Sequence, residues 1–144
     1  MAERFMKQKD FQKRDEIIFG KVIDWEKREF PPGVCERFEG LDAEGIKKLI
    51  TLGFMKPTQT MNSTPTVESF SEFADEMEQK GFTFYFEGFD FDPRYDQAEE
   101  VCLEGIYREG DYPAEIGLAF AKFVSEYSPD ELTIEEKLLR AWWD

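Results

Sequence analysis

The densest chemistry in the chain lies in Asp90-Phe91-Asp92-Pro93-Arg94-Tyr95-Asp96-Gln97-Ala98-Glu99-Glu100, which sets five carboxylates in 11 residues. Clustered carboxylate oxygens are what Ca²⁺ and Mg²⁺ take, so Asp90, Asp92, Asp96, Glu99 and Glu100 form the candidate metal set. The spacing departs from an EF-hand loop. Counted from Asp90, the fifth position is Arg94, the sixth is Tyr95 instead of glycine, and the twelfth is Val101 instead of glutamate. The plainer expectation is a solvated hairpin loop in which Asp90 and Asp92 accept hydrogen bonds from turn amides. No cofactor is expected.

Catalysis has little else to draw on. The chain has 144 residues and no histidine, which removes His-based triads, Cys–His pairs and the most frequent general base. Carboxylate pairs can cleave glycosidic bonds, and Asp/Glu with Mg²⁺ can cut phosphodiesters. With 32 acids, however, some pair is close by chance, and no spacing singles one out. Cys35 and Cys102 match no metal or redox spacing and read as buried thiols of a reducing compartment. Asn62-Ser63-Thr64 is a glycosylation sequon only if the chain is secreted. No Gly-rich phosphate loop is present.

Binding chemistry is better represented. The chain ends Arg140-Ala141-Trp142-Trp143-Asp144. If this end is a strand, the two tryptophans point to opposite sides, one to the core and one outward. Exposed Trp and Arg dominate many interfaces, so Arg140, Trp142 and Trp143 are the candidate partner-binding residues. The bland alternative buries both rings. Charge reinforces this reading. Formal charge is −14, and the acidity is confined to one half: residues 68–144 carry six basic side chains against 21 acidic ones. Such a surface repels nucleic acid and anionic membrane and attracts basic protein surfaces.

The elements that must position these residues are read from periodicity. Residues 4–29 predict a long amphipathic helix, with Phe11, Ile18, Val22 and Trp25 on one face and Gly20 as a bend. Its apolar stripe packs on the chain's own sheet or serves as an arm for oligomerisation. Pro31-Pro32-Gly33 ends it, and residues 34–41 read as a connector. Asp42 caps a short helix over 43–52, with Ile46, Leu49 and Ile50 inward and Gly53 after its end. Lys56 to Ser63 is a polar loop. Thr64-Pro65 starts a helix to about Lys80, with Val67, Phe70, Phe73, Ala74 and Met77 as its stripe. Residues 82–86 and 101–107 then carry strand character. Pro113 opens a helix to about Tyr127, with Ile116, Phe120, Phe123 and Val124 inward. The last stretch fits either a helix or a hairpin turning at Glu136-Lys137, and the hairpin is preferred. The expected architecture is α+β: N-terminal helices followed by a β-β-α-β-β antiparallel sheet with helices packed on one face. One domain over 1–144 fits the length, made of a helix over 1–30, a helical pair over 42–81 and the β-β-α-β-β unit over 82–144.

The rhythm Leu41-Asp42-Ala43-Glu44, Leu52-Gly53-Phe54, Thr64-Pro65-Thr66-Val67-Glu68-Ser69-Phe70 and Glu72-Phe73, with the ending Trp142-Trp143-Asp144, resembles small acidic proteins of unknown function from bacterial conjugative elements and prophages. The resemblance implies a bacterial accessory protein and brings no activity, ligand set or residue role.

The start of the chain lacks the apolar segment of a secretory signal. No stretch approaches the ~20 apolar residues that span a bilayer. A cytoplasmic protein is therefore expected, with no membrane association and no direct nucleic-acid binding. The leading expectation is a non-enzymatic module that binds a protein with a basic surface. The alternatives are a DNA-mimic inhibitor of a nucleic-acid-binding protein or nuclease, whose carboxylates imitate phosphates, and a carboxylate/divalent-metal hydrolase.

Overall fold

The computed structural model describes residues 10–27, 35–94 and 100–144. Among these, four α-helices and five strands follow one another as α1 (Phe11–Phe19), β1 (Cys35–Leu41), α2 (Ala43–Thr51), α3 (Val67–Gln79), β2 (Tyr85–Phe91), β3 (Cys102–Glu109), α4 (Ala114–Ser125), β4 (Glu131–Glu135) and β5 (Leu138–Trp142). The strands form one antiparallel sheet in the order β1-β2-β3-β5-β4. The α+β class and the antiparallel sheet match expectation. The element order does not, because a strand, β1, stands between the first helix and the second.

That strand, β1, occupies the stretch read as a connector. Only Phe38 and Leu41 of it are buried aliphatic or aromatic side chains. They lie three residues apart because the register with β2 shifts between them, where Gly40 takes φ 82°. A bulge bends the strand and breaks the period of two by which strands are recognised.

The long N-terminal helix is also corrected. α1 stops at Phe19 because Gly20 adopts the left-handed conformation (φ 75°) and donates its N–H to the Glu16 carbonyl, the usual glycine stop. Trp25 then sits in a single 3₁₀ turn, Trp25–Lys27, and is buried, while Val22 faces outward. The expected N-terminal part of that helix and the Pro31-Pro32-Gly33 stop lie outside the described residues. Ile18 is buried against the sheet, and Phe19 meets the Phe38 ring edge-on at 6.4 Å.

The remaining helices keep close to their sequence signals. Asp42 accepts from the Gly45 N–H at 2.8 Å, and Gly53 takes φ 88° beyond the end of α2. α3 begins two residues later than expected. Thr66 is its cap, accepting from the Ser69 N–H, whereas the Thr64 hydroxyl accepts from the Met61 N–H and closes the preceding loop. The stripe Val67, Phe70, Phe73, Ala74 and Met77 is buried as read. So are Ile116, Phe120 and Val124 of α4. The terminal hairpin forms, turning at Glu136-Lys137.

One aromatic core joins these helices to the inner face of the sheet. Phe73 stacks on Phe123 at 4.5 Å, Phe84 stacks on Phe120 at 5.6 Å, and Phe70 meets Phe86 and Trp143 edge-on at 5.2 and 5.8 Å. Such pairs add about 0.5–1.5 kcal/mol each beyond the area they bury. β2 is displaced from its expected place at 82–86. Phe86, Gly88 and Asp90 point inward along it, and the last of these conceals the strand by putting a carboxylate where an apolar residue is expected.

Candidate functional site

The outer face of the sheet has no described helix over it. Two rows of side chains cross it. One runs Tyr85, Tyr107, Arg140 and Thr133 through β2, β3, β5 and β4, and the next runs Glu87, Gly105, Trp142 and Glu131. Tyr85 and Tyr107 have ring centroids 6.0 Å apart. Arg140 grips Glu87 with two hydrogen bonds, Nε to Oε2 at 3.1 Å and a terminal nitrogen to Oε1 at 2.6 Å, and Glu131 lies 3.6 Å from its other nitrogen.

This grip reaches from β5 to β2 across β3 because Gly105 stands between the partners. A Cβ at Gly105 would lie 2.9 Å from Glu87 Cγ and 2.9 Å from the Ala141 carbonyl. The glycine opens a lane along which Glu87 lies. A second pair, Arg37 of β1 with Glu104, flanks the first. Glu104 is the extra residue of a bulge, since Glu87 opposes Gly105 while Gly88 opposes Leu103. Beside the aromatic row lies a shallow depression of about 310 Å³, lined by Glu39, Glu87, Tyr107, Glu109, Lys137, Leu138 and Arg140. Burial, then the nearby Glu39, Glu109 and Glu87 carboxylates, raise the Tyr107 hydroxyl above its ordinary value, against a hydrogen bond with the Gly40 backbone. The phenol is therefore neutral, an apolar ring with a polar tip.

Of the three residues expected to bind a partner, the strand alternation places Arg140 and Trp142 on this face and turns Trp143 into the core. The outward Trp and Arg sit beside each other only because β5 is a strand.

The candidate metal set is divided differently. Asp90 and Asp92 are fully buried. Asp92 accepts from the Arg94 backbone N–H at 2.9 Å and from its guanidinium at 3.0 and 2.6 Å. Burial alone would raise Asp92, but the Arg94 hydrogen bonds and charge outweigh it and hold the carboxyl below its usual range. The expectation that Asp92 caps a turn amide thus matches its place. Asp90, expected in the same loop, lies inside β2 instead. Glu100 is exposed, and Asp96 and Glu99 lie outside the described residues. Among the described residues, no three acids or cysteines converge as a metal site would require.

Asp90 belongs to a cluster that sequence reading missed. Arg14 and Asp15 of α1 are fully buried with it. Arg14 Nε lies 3.0 Å from Asp15 Oδ1 and 3.1 Å from Asp90 Oδ2, and the Trp25 indole N–H donates to Asp15 Oδ2 at 2.7 Å. The guanidinium carbon lies 5.0 to 5.7 Å from the ring centres of Phe11, Trp25 and Phe54. Arg94 donates to the Trp25 carbonyl at 2.6 Å. The cluster thereby ties α1 and its following turn to the end of β2. A signal for it exists: residues 11, 14, 15 and 18 share one helical face, so Arg14 and Asp15 occupy core positions between Phe11 and Ile18. Closed in by these rings, the cluster has a structural role.

Its protonation sets a prediction. Burial pushes the Asp90 carboxyl up to about 8, with Asp15 and Glu36 adding to the rise and Arg14 opposing it. An unfolded carboxyl titrates near ~3.9. The folded state therefore binds the extra proton, and the contribution of Asp90 to stability is fully present below about pH 4 and lost as the pH rises toward 8. Asp90→Asn mimics the neutral carboxyl and removes this slope. Urea midpoints of the variant minus those of the parent should increase between about pH 5 and about pH 9. Parallel profiles would show that Asp90 is ionised throughout.

Both cysteines are free. Cys35 is exposed on β1, a correction to the expectation of two buried thiols, and follows from the edge position of that strand. Burial, helped by Glu100 and Glu104, pushes the Cys102 thiol up to about 12, which makes it a poor nucleophile. No helix among the described residues is long and apolar enough to cross a membrane. The fold and face define a class: an α+β chain with a single antiparallel sheet, one face of which is aromatic, rimmed by acids and without a described helix over it. Comparisons with protein-family models, with curated proteins and with solved structures found no match to this chain.

Proposed function

We propose that the chain is a non-enzymatic protein-binding module that receives a basic protein surface on the outer face of its sheet. The observation that carries this reading is the arrangement of Tyr85, Tyr107 and Trp142 around the Glu87–Arg140 pair, with no described helix over them. Aromatic side chains offer large contact area at low entropic cost, and Trp, Tyr and Arg recur as interface anchors. Glu39, Glu109, Glu131 and Glu135 outnumber Lys137 around them and favour a positive partner by steering and cation–π contact. The hydrolase alternative loses its motive, because Asp90 and Asp92 face Arg14 and Arg94.

The test uses immobilised full chain and a lysate of the native source. At least one basic protein should be retained by the parent and lost with Trp142→Ala/Arg140→Ala. Equal recovery on both forms would remove the face as the contact. A DNA mimic holds its target through charge alone, so its capture would collapse with added salt while tolerating Trp142→Ala.

A further inference from the structure

We infer that the free edge of β4 is a strand-addition site for an extended segment of another protein, with basic residues flanking an apolar-x-apolar core. This rests on the reading of the chain as a binder of basic proteins and adds a second, backbone-directed contact. β4 ends the sheet, with β5 as its one neighbour among the described strands. The direction of its backbone groups follows from two hydrogen bonds on the far side of β5. The Gly110 N–H donates to the Lys137 carbonyl at 2.9 Å, and the Trp143 N–H donates to the Glu104 carbonyl at 2.8 Å. Residues 137 and 143 thus face β3, and alternation turns Leu138, Arg140 and Trp142 toward β4. Their partners Glu135, Thr133 and Glu131 are the residues of β4 that face inward. Leu132 and Ile134 therefore aim their N–H and C=O groups out of the sheet, where no described residue meets them.

The side chains of the same two residues are half uncovered. Leu132 is 47% and Ile134 49% exposed, although their cross-strand partners Ala141 and Leu139 are fully buried. A neighbouring strand would cover them. Free edges are ordinarily defended by charged side chains, lysine above all, by proline, by a bulge or by a covering element, and the charges of β4 are its two glutamates, Glu131 and Glu135. β4 has no lysine or proline, and its register with β5 is unbroken from Glu131 to Glu135. The Tyr112 hydroxyl donates to the Glu135 carbonyl and anchors one end.

Charge selects the occupant. Antiparallel pairing of β4 with a second copy about Thr133 would set Glu131 opposite Glu135 twice, between chains that each carry −14. Like charges directly opposite destabilise a sheet. A segment of the form basic-apolar-x-apolar-basic satisfies both glutamates and both exposed aliphatic side chains. Its alternate residues would meet the two sets on opposite faces.

The experiment measures fluorescence anisotropy of labelled dodecapeptides with central Lys-Val-Thr-Val-Lys or Glu-Val-Thr-Val-Glu, titrated with the full chain. The lysine peptide should saturate and the glutamate peptide should not. Leu132→Pro removes an outward N–H and leaves the β5 ladder intact, as proline is tolerated at sheet edges. It should weaken lysine-peptide binding by about tenfold or more with unchanged circular dichroism. Glu131→Lys/Glu135→Lys should exchange the preference for the glutamate peptide, an outcome that a misfolded variant could not produce. No saturation by the lysine peptide at about millimolar chain, unchanged binding by Leu132→Pro, indifference to peptide charge, or reversible dimers in sedimentation equilibrium would each overturn the inference. Capture that depends on Trp142 and Arg140 while the peptides fail would sink the edge site and leave the proposed function standing.

Discussion

Arg14→Met should lower stability by about 3–5 kcal/mol, read as a fall in the urea midpoint at neutral pH. The side chain is fully buried, with Asp15 and Asp90 at 3.0 and 3.1 Å. Methionine fills much of the same volume among Phe11, Trp25 and Phe54, so the loss is electrostatic and not a cavity effect. Without the guanidinium, the Asp15 and Asp90 carboxyls share a dry site with no described cation beside them. Breaking a buried pair by removing one partner is far costlier than replacing all of its members. A triple variant, Arg14→Met/Asp15→Asn/Asp90→Asn, should therefore recover most of the loss, since every group is then neutral. The Trp25 indole still finds an acceptor there, in the side-chain amide oxygen that replaces the Asp15 carboxylate. If the single variant is as stable as the parent, the cluster does not hold α1 to β2.

The same cluster marks the limit of reading by periodicity. A stripe such as Val67, Phe70, Phe73, Ala74 and Met77 is legible because every inward position is apolar. α1 places Arg14 and Asp15 at inward positions, and an amphipathic pattern assigns charged residues to solvent unless their partners are known. Those partners are distant: Asp90 is on β2, and Trp25 lies beyond a glycine stop. Local pattern carries no information on either. β1 fails for a related reason. Its bulge at Glu39-Gly40 resets the alternation, so Phe38 and Leu41 point the same way at a spacing that suits neither strand nor loop. In each case tertiary pairing overrides the local period.

The outer face is half legible. A strand over 138–142 implies that Arg140 and Trp142 share a side, and that follows from alternation alone. The tie from Arg140 to Glu87 does not. It needs β5 to lie next to β3, Gly105 to keep the intervening lane empty, and β2 to lie beyond. Three strands from two hairpins meet there, and sequence spacing is silent on their order. The lone glycine is a signal of close approach, though not of what approaches.

The two terminal tryptophans should separate by a large margin. Trp143→Ala is expected to cost about 3–5 kcal/mol, the range for deleting a large core ring. Its indole N–H donates to the Tyr127 carbonyl at 2.9 Å, and its ring meets Phe70, so truncation opens a void between α3 and β5 and strips a half-buried carbonyl of its donor. Trp142→Ala, one residue away on the opposite face, should cost about 1 kcal/mol or less, because the ring is part-exposed and lies on the face without a described helix. Thermal or urea unfolding of the two single variants measures the contrast. Equal losses would mean that Trp142 is also a core residue and that the outer face is covered. A variant that also removes Trp143 would confuse lost folding with lost contact, so Trp142 with Arg140, and without Trp143, is the proper probe of binding.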